Sequence, residues 1–403
     1  MLLCATALMV MASCSCGEKK AKYVFYFIGD GMGFSHISLT EGYLATKDGK
    51  IGNNPLCFTQ FPVMGMATSY SASNYITCSS AAGTALATGF KTKNGMLGTA
   101  PDSSNLTAIS YKIHKAGFPV GVTTSVTIDH ATPGSFYANS TARSDYYSIS
   151  EQLATSGFEF FGGGGFYGAK DKRHQEKSLY DVAADNGYAF AYGVEDYKAK
   201  KAEGVNKLIL FQEEEAKRNN DLPYVYERVE GDLTLPEVVT AAVDFLNNEK
   251  GFFLMVEGGK IDWAAHSNEL VGTVLEMLDF DQAIAVAYEF YKQHPEETLI
   301  VVTADHETGG VTLGRGKGYV YDLSVIDKVV GSQVAEGTDV SNYMQGNSKD
   351  SLSVVAKIGW TTTSHTGGAV PVFAVGAGSE MFAGRQDNTD IPKKICKAMG
   401  VVF

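Results

Sequence analysis

The residues best suited to chemistry in this sequence are acids and histidines that stand beside glycines in four separate segments. A glycine allows a sharp bend of the backbone or a close approach to a ligand, so each segment is a candidate binding loop. Carboxylates and imidazoles are common ligands of zinc, and carboxylates are the preferred ligands of magnesium. The candidate ligands are Asp30, Glu257, Asp262, His266, Asp305, His306 and His365.

The number and spacing of these residues predict more than one metal ion. A closed zinc site takes about four ligands. The set therefore predicts two zinc sites with nitrogen and oxygen ligands and one all-oxygen magnesium site. Asp262 and His266 stand four apart, which places both on one face of a helix. Taken singly, Asp30 is better explained as a helix N-cap and His365 as a structural histidine, and a surface helix is the alternative for the Asp262–His266 pair. The metal site is predicted from their joint occurrence.

A pair of metal ions also predicts a class of reaction. Two ions about 3.5–4 Å apart can stabilise both the attacking and the leaving oxygen of an in-line displacement, as phosphoryl transfer requires. A nucleophile is then expected at a helix start, and Ser79 begins a run of small residues that could approach the metals closely. The helix dipole favours an alkoxide and a bound phosphate there. A small-residue helix packed in the core is the alternative for this segment.

Short apolar runs alternate with helical patterns along nearly the whole chain. The runs are apolar on both faces, which is typical of strands in a parallel sheet covered on both sides. Helices are predicted over Ser79–Ala87, from a capping box at Thr234 to about Asn247, and over Leu270–Tyr291. The alternation predicts a doubly wound α/β sandwich with a largely parallel central sheet and inserted loops at the active-site edge. The predicted strands are Tyr23–Ile28, Val120–Thr124, Lys207–Phe211, Phe252–Val256, Leu299–Thr303 and Val370–Val375.

Two stretches do not follow this alternation. The glycine-rich run Phe160–Phe166 lacks the Lys-Ser/Thr of a P-loop and the spacing of a dinucleotide fingerprint, so it is interpreted as a flexible turn. The polar stretch 313–351 predicts an insertion at the functional edge of the sheet. The remainder of residues 22–403 is expected to form one catalytic domain, because no linker divides it.

Composition limits the partners and the location of the protein. The net charge of −12 argues against a nucleic-acid-binding module, because phosphate backbones need a basic surface. Residues 1–21 predict an export signal, since their apolar part is too short to span a bilayer. The sequence around Cys14 resembles a bacterial lipobox, so we expect a periplasmic or cell-envelope lipoprotein with a lipid anchor at Cys14. A simply cleaved signal is the alternative.

Five motifs, in this order along the chain, resemble those of the alkaline phosphatase family. They extend over the chain from about residue 22 to its end, and together they are far more specific than any one alone. The resemblance implies a phosphoserine intermediate, two zinc ions, one magnesium ion, small phosphate monoesters as substrates and a homodimer. The motifs are Asp-Gly-Met-Gly at Asp30, Ser-x-Ala-Ala-Gly-Thr-Ala-x-Ala-Thr-Gly at Ser79, Glu-Gly-x-x-Ile-Asp-x-x-x-His at Glu257, Thr-Ala-Asp-His-Glu-Thr-Gly-Gly at Asp305 and His-Thr-Gly-Gly at His365.

The resemblance also implies a role for each matching residue. Ser79 corresponds to the nucleophile, and Arg143 to an arginine whose planar guanidinium holds two phosphate oxygens. The implied ligands are Asp262, His266 and His365 for the first zinc, Asp30, Asp305 and His306 for the second, and Asp30, Glu257 and Thr132 for magnesium.

Four positions depart from the common pattern of the family. Cys78 replaces the aspartate that usually precedes the nucleophile and helps to hold the arginine, and Ser80 replaces an alanine. His130 and Trp263 stand where some members have aspartate and lysine near the magnesium and the phosphate. This pair resembles certain marine and cold-adapted bacterial enzymes. Because imidazole replaces a carboxylate beside a hard cation, we expect magnesium to bind weakly; the alternative is that both residues only pack.

The sequence as a whole predicts a phosphate monoester hydrolase of broad specificity, because the implied groups all hold phosphate and none reads the alcohol. A phosphodiesterase or another hydrolase of the same superfamily is the nearest alternative. Such diesterases usually have a threonine nucleophile and lack the arginine, whereas sulfatases need a Cys/Ser-x-Pro-x-Arg sequence that neither Cys78 nor Ser79 has. A non-catalytic metal- and phosphate-binding lipoprotein is the alternative from another class.

Overall fold

The computed structural model of the chain describes residues 20–168, 178–212, 221–327 and 352–403. The strands in these ranges are β1 (Tyr23–Gly29), β2 (Val63–Thr68), β3 (Val120–Thr127), β4 (Phe160–Gly164), β5 (Ala189–Tyr192), β6 (Leu208–Phe211), β7 (Phe252–Gly258), β8 (Thr298–Ala304), β9 (Glu307–Thr308), β10 (Thr312–Leu313), β11 (Ile358–Gly359), β12 (His365–Thr366), β13 (Val370–Gly376) and β14 (Gly384–Asp387). The helices are α1 (Phe34–Lys47), α2 (Ser79–Thr88), α3 (Ile109–Lys115), α4 (Ala131–Gly134), α5 (Tyr146–Thr155), α6 (Leu179–Asp185), α7 (Gly193–Ala202), α8 (Leu235–Leu246), α9 (Lys260–His266), α10 (Leu270–Gln293), α11 (Leu352–Val355) and α12 (Asp390–Met399). Short 3-10 helices occupy Phe58–Gln60, Val225–Glu227 and Ser379–Phe382.

A single large sheet organises the described part of the chain. Its ten strands run in the order β14-β2-β13-β8-β1-β7-β3-β4-β6-β5. The central strands β1, β7 and β8 are buried along their whole length, as expected of strands covered on both faces. Aromatic contacts pack them against α10, for example between Phe27 and Phe280, whose ring centroids lie 5.9 Å apart. The predicted α/β sandwich with a largely parallel central sheet is confirmed.

One strand runs against the others. Strand β13 pairs antiparallel with both β8 and β2, whereas the other strand pairings of this sheet, within the described residues, are parallel. The prediction that Val370–Val375 forms a strand is confirmed, but the expectation that it runs parallel is wrong. Its direction matters for the site. The segment that precedes β13 lies at the edge where β1, β7 and β8 end, because antiparallel neighbours start where parallel ones finish.

The three predicted helices are confirmed as α2, α8 and α10. Helix α8 begins after Thr234, whose side chain accepts a hydrogen bond from the Glu237 backbone, while the Glu237 carboxylate accepts one from the Thr234 backbone at 2.9 Å. This is the capping box that the sequence predicts. Helix α2 ends at Gly89, whose φ of 74° lies in the left-handed region that glycine tolerates.

The interpretation of Phe160–Phe166 as a flexible turn is wrong. Residues Phe160–Gly164 form β4, a fully buried strand between β3 and β6. The glycines serve close packing rather than bending. A Cβ on Gly162 would lie 2.7 Å from Val238 Cγ1, and one on Gly163 would lie 2.5 Å from the Thr124 carbonyl oxygen. Side chains at these two positions would clash with α8 and with β3, so glycine allows β4 to pack closely against both.

Residues 1–19, including Cys14, and residues 328–351 lie outside the described residues, so the export signal, the lipid anchor and most of the insertion over 313–351 stay predictions. Where residues 323–326 of that stretch are described, Leu323 and Ile326 are buried in a small apolar cluster with Trp360. Among the helices that the structure describes, none has the length and apolar character needed to cross a membrane.

Candidate metal and phosphate site

Parallel pairing brings three carboxylates to one edge of the sheet. Ile28 of β1 pairs with Glu257 of β7 and with Thr303 of β8. Asp30 and Asp305 follow these strands immediately, so both emerge beside Glu257. All three carboxylates are completely buried. Glycine is needed here, because Gly31 has a φ of 76° and a Cβ on it would lie 2.9 Å from the Asp262 backbone.

A first group of potential metal ligands consists of Asp262, His306 and His365, whose ligand atoms lie within 4.8 Å of one another. His266 adds to it, since its Nε2 lies 3.3 Å from Asp262 Oδ2 and 3.1 Å from His365 Nε2. Asp262 and His266 both lie on α9, so the prediction of one helical face is confirmed. His365 reaches the group because β12 pairs with β9.

Two more groups share members with the first and with each other. The second consists of Asp30, Asp305 and His306, and the third of Asp30, His130 and Glu257. His306 Nε2 lies 3.1 Å from Asp305 Oδ2 and 3.4 Å from Asp30 Oδ1. The shared residues His306 and Asp30 make this one continuous three-part cluster. The structure thus brings together the seven acids and histidines that the sequence predicts.

The histidine rings of the first group are held with one nitrogen facing the cluster. His266 Nδ1 lies 2.7 Å from the Thr363 carbonyl, and His365 Nδ1 lies 2.9 Å from the Thr77 carbonyl. A carbonyl only accepts, so each Nδ1 carries a proton, and Nε2 is the atom that each ring can offer to a metal. Burial, and next the neighbouring His306, lowers the pKa of His365 to about 4, which keeps that ring neutral.

Among the acids of the cluster, Asp30 lacks sufficient positive charge from the protein, whereas Asp262 is stabilised in its ionised form by neighbouring histidines. Burial, followed by the nearby carboxylates of Asp305, Asp262 and Glu257, raises the pKa of Asp30 well above its usual value. Burial alone would do the same to Asp262, but the hydrogen bond from His266 and the charge of His306 hold the pKa of Asp262 well below its usual value. A dication bound among these groups would favour the ionised form of every carboxylate.

Buried polar atoms without partners test whether the cluster fits metal ions. Within the described residues, four such atoms belong to it and have no hydrogen-bond partner: Asp30 Oδ1, His130 Nδ1, Glu257 Oε1 and Asp305 Oδ2. Buried polar atoms are otherwise almost always hydrogen-bonded. Oxygen and nitrogen atoms left free in converging groups are what metal coordination requires, so the residues fit metal ions.

Ser79 is the first residue of α2, and it faces this cluster. Its Oγ lies 3.2 Å from Nε2 of His306, a residue that belongs to two of the groups. The Ser80 side chain is turned away, with its Oγ 3.2 Å from Cys78 Sγ. The geometry therefore favours Ser79 over Ser80 as the residue that meets a substrate here.

Arg143, His130 and Trp263 lie beside or within the third group. Arg143 Nη2 is 3.4 Å from His130 Nε2, and the His130 ring packs edge-on against Trp263 with centroids 5.8 Å apart. Thr132 lies next to the same group, since its hydroxyl is 3.5 Å from Asp30 Oδ2. The structure thus places Arg143, His130, Trp263 and Thr132 together, as the sequence predicts.

Cys78 and Arg143 meet the same glycine. The Arg143 backbone NH donates to the Gly95 carbonyl at 2.8 Å, and the Gly95 NH donates to Cys78 Sγ at 3.2 Å. Burial alone would raise the pKa of the Cys78 thiol, but the hydrogen bonds from Ser80 and the backbone, together with the charge of Arg143, lower it. Cys78 therefore stabilises the backbone next to Arg143, although it supplies no carboxylate to the guanidinium.

Sequence reasoning missed the threonines that orient the acids. The Thr124 hydroxyl donates to Glu257, and the Thr308 hydroxyl donates to Asp262 while lying 3.2 Å from His306 Nδ1. Thr308 stands inside the Asp305 motif, so its position could have been noticed. Thr124 has no such signal, since only the pairing of β3 with β7 places it opposite Glu257.

Comparisons with known proteins agree with this geometry. A family model described as alkaline phosphatase matches residues 21–401. Alkaline phosphatase 3 of Bacillus subtilis (strain 168) is 31% identical over 430 residues, covering 95% of this chain and 90% of that protein. The solved alkaline phosphatase of the Antarctic bacterium TAB5 is 29% identical, with a TM-score of 0.77 and coverage of 96% of this chain and 99% of that one. The same values hold for a histidine-to-aspartate variant of the TAB5 enzyme described with magnesium bound in its M3 site.

Proposed function

Because the chain belongs to the alkaline phosphatase family and is a phosphate monoester hydrolase, we propose that it acts through a phosphoserine on Ser79 with two zinc ions and one magnesium ion. The observation that carries the proposal is the position of the Ser79 hydroxyl. It lies at the start of α2, 3.2 Å from His306 Nε2, where two groups of potential metal ligands meet.

The donor atoms support an assignment of each group to an ion. Asp262, His266 and His365 would hold the first zinc, because this set is rich in imidazole nitrogen. The second zinc would bind to Asp30, Asp305 and His306. Magnesium would be held by Asp30, Glu257 and Thr132, with His130 beside them. The magnesium described in the M3 site of the TAB5 variant supports a third ion in such enzymes.

Each residue of the site would then have a separate role in phosphate transfer. When bound, the ions supply Lewis acidity that activates a hydroxyl or water and stabilises the leaving oxygen. Ser79 Oγ loses its proton and attacks phosphorus, the bond from phosphorus to the alcohol oxygen breaks, and the alcohol takes up a proton as it departs, leaving phosphate on Ser79. Water then attacks that phosphorus from the opposite side and releases inorganic phosphate with a free Ser79. Arg143 holds two equatorial oxygens, and the N-terminus of α2 favours their negative charge. Broad specificity follows, since these groups all hold phosphate.

The test is to trap the intermediate. Turnover of a ³²P-labelled monoester is stopped in acid, and the label is located by peptide mass spectrometry. We expect phosphate on Ser79. Label on Ser80, or none on the protein, would contradict the proposal. Parallel assays with a phosphate diester and a sulfate ester distinguish the superfamily alternatives, because a monoesterase should turn over both far more slowly.

The homodimer, the export signal and the lipid anchor at Cys14 belong to the same proposal. Light scattering on the purified protein tests the dimer, and mass spectrometry of the N-terminal peptide from the native host tests whether the chain begins at a lipidated Cys14 or at another cleavage point.

A further inference from the structure

Glu307 follows His306 in the chain, but it does not belong to any of the three groups of potential metal ligands found among the described residues. Its side chain is buried, and both of its oxygens meet protein donors. Oε2 accepts a hydrogen bond from the Thr366 hydroxyl, and Oε1 accepts one of 3.0 Å from the Gly310 NH. The Glu307 carboxylate therefore joins two segments that carry ligands, and it is turned towards them instead of towards the cluster.

The backbone contact between these two segments is very short. Strand β9 pairs antiparallel with β12, and each strand has only two residues. In this ladder Thr366 lies opposite Glu307, and His365 lies opposite Thr308, whose hydroxyl donates to Asp262. Two strands alone are marginally stable in water, so a cross-strand pair of side chains matters for such a ladder. The hydrogen bond from Thr366 to Glu307 therefore helps to keep His365 next to Asp262.

The stem of Glu307 also packs against the segment that follows Asp30. A Cβ on Gly33 would clash with Glu307 Cγ. The φ of Gly33 is −94°, which any residue can adopt, so its backbone conformation does not require glycine. Glycine at this position of the Asp30 motif leaves room for the Glu307 side chain.

We propose that Glu307 is a positioning residue for the first group of metal ligands. It acts through the backbone that presents His365, and it makes no contact of its own with a bound ion. The inference rests on the proposed function only in taking Asp262, His266 and His365 as one zinc site. Residues that orient metal ligands typically contribute about 10- to 100-fold to metal affinity. Loss of the Thr366–Glu307 hydrogen bond should therefore weaken zinc binding at this site by about tenfold or more, and should affect the second site, which does not include His365, much less.

The test uses a matched pair of variants at residue 366. Valine in Thr366→Val has nearly the shape of threonine but cannot donate, whereas Thr366→Ser keeps the hydroxyl. Zinc is removed from the loaded proteins by competition with a chromophoric chelator, and the first site is identified as the one whose affinity falls most in His365→Ala. We expect about tenfold weaker binding at that site in Thr366→Val, and binding within about twofold of the wild type in Thr366→Ser. Equal affinities in the two variants, or equal losses at both zinc sites, would overturn the proposal.

A second test leaves the hydrogen-bonding groups in place. Gly33→Ala should displace the stem of Glu307 and lower zinc affinity at the first site. The loss should be smaller when Gly33→Ala is introduced into Glu307→Ala, because Cγ is then absent. The same factor in both backgrounds would contradict the proposal.

These measurements separate the inference from the proposed function. A wild type that binds no zinc would overturn both the proposed metal sites and the role of Glu307. Two bound zinc ions in the wild type, with equal affinities in Thr366→Val and Thr366→Ser, would overturn the role of Glu307 alone.

Discussion

Two buried groups of charged side chains meet on helix α9, and only one of them is neutralised by other side chains of the described residues. On one side, Asp262 faces the metal-ligand cluster. On the other, Lys260 is 1% exposed and its Nζ lies 2.6 Å from Asp221 Oδ2. Asp221 opens a segment, residues 221–232, which we name the strap and which packs along α9 and α10.

The strap carries its own countercharges. Arg228 donates two hydrogen bonds of 2.6 Å to the two oxygens of Asp279, and the ammonium of Lys260 stands 3.9 Å from the Tyr224 ring centroid. In the metal-ligand cluster, by contrast, oxygens of Asp30, Glu257 and Asp305 have no hydrogen-bond donor among the described residues. A buried acid that is paired with Lys or Arg completes a structure, whereas converging buried acids left unpaired indicate a missing ligand.

The largest effect should come from the cluster and leave stability intact. Ser79→Ala should lower kcat by about a thousandfold or more, because the attacking oxygen is lost while binding groups remain. The thermal midpoint should stay near that of the wild type. Ser80→Ala is the control, since its hydroxyl contacts Cys78 instead of His306, and it should keep most activity. Comparable losses in both variants would contradict the assignment.

Breaking the strap should have the opposite profile. Arg228→Met leaves Asp279 buried without its partner and should lower the free energy of unfolding by about 3–5 kcal/mol. The double variant Arg228→Met/Asp279→Leu removes both charges and should recover most of that loss. Thermal unfolding of the three proteins, with kcat measured at a temperature where all are folded, checks this. A fall in kcat as large as that of Ser79→Ala would contradict the claim that the strap contributes to stability and the cluster to catalysis.

A smaller effect is expected at Arg143. Arg143→Ala should weaken inhibition by inorganic phosphate about 10- to 100-fold, because charge-assisted hydrogen bonds to phosphate are lost. Cys78→Asp would place a carboxylate beside the arginine and should tighten phosphate binding if Arg143 is loosely held in the wild type. Inhibition constants for phosphate in the three proteins are the measurement. An unchanged constant in Arg143→Ala would remove this residue from the site.

The smallest effect concerns pH and the strap. Burial, and next the neighbouring Asp279, raises the pKa of Glu276 to about 7. As pH rises, the carboxyl of Glu276 loses its proton in the unfolded chain before it does so in the folded protein. The free energy of unfolding therefore falls between about pH 4.5 and about pH 7, and this carboxyl causes no further change above that. Glu276→Gln can still accept from the Val225 NH and should raise stability above pH 7 by about 1–3 kcal/mol, with no gain at pH 4. Thermal midpoints at both pH values test this, and equal gains would contradict it.

The sequence predicts the site better than it predicts the frame around it. Asp30, Asp262 and His306 could be identified because each stands in a motif whose spacing is local. Their orienting partners depend on strand register, which has no local signal; Thr124 meets Glu257 only because β3 pairs with β7. The same limit explains β4. Its glycines favour a turn by propensity, and the need for them appears only when α8 packs against the strand.

The reversed direction of β13 has a consequence for how the protein matures. Its preceding loop supplies His365, whereas Asp30 comes from the first strand, so the metal-ligand cluster joins residues from opposite ends of the chain. Contacts of such long sequence separation carry a loop-closure entropy cost, so they are expected to slow folding. A chain that stops before residue 365 has the acids but lacks His365, a histidine of the first group. We therefore expect the first ligand group to bind a metal ion fully only in a chain long enough to include His365.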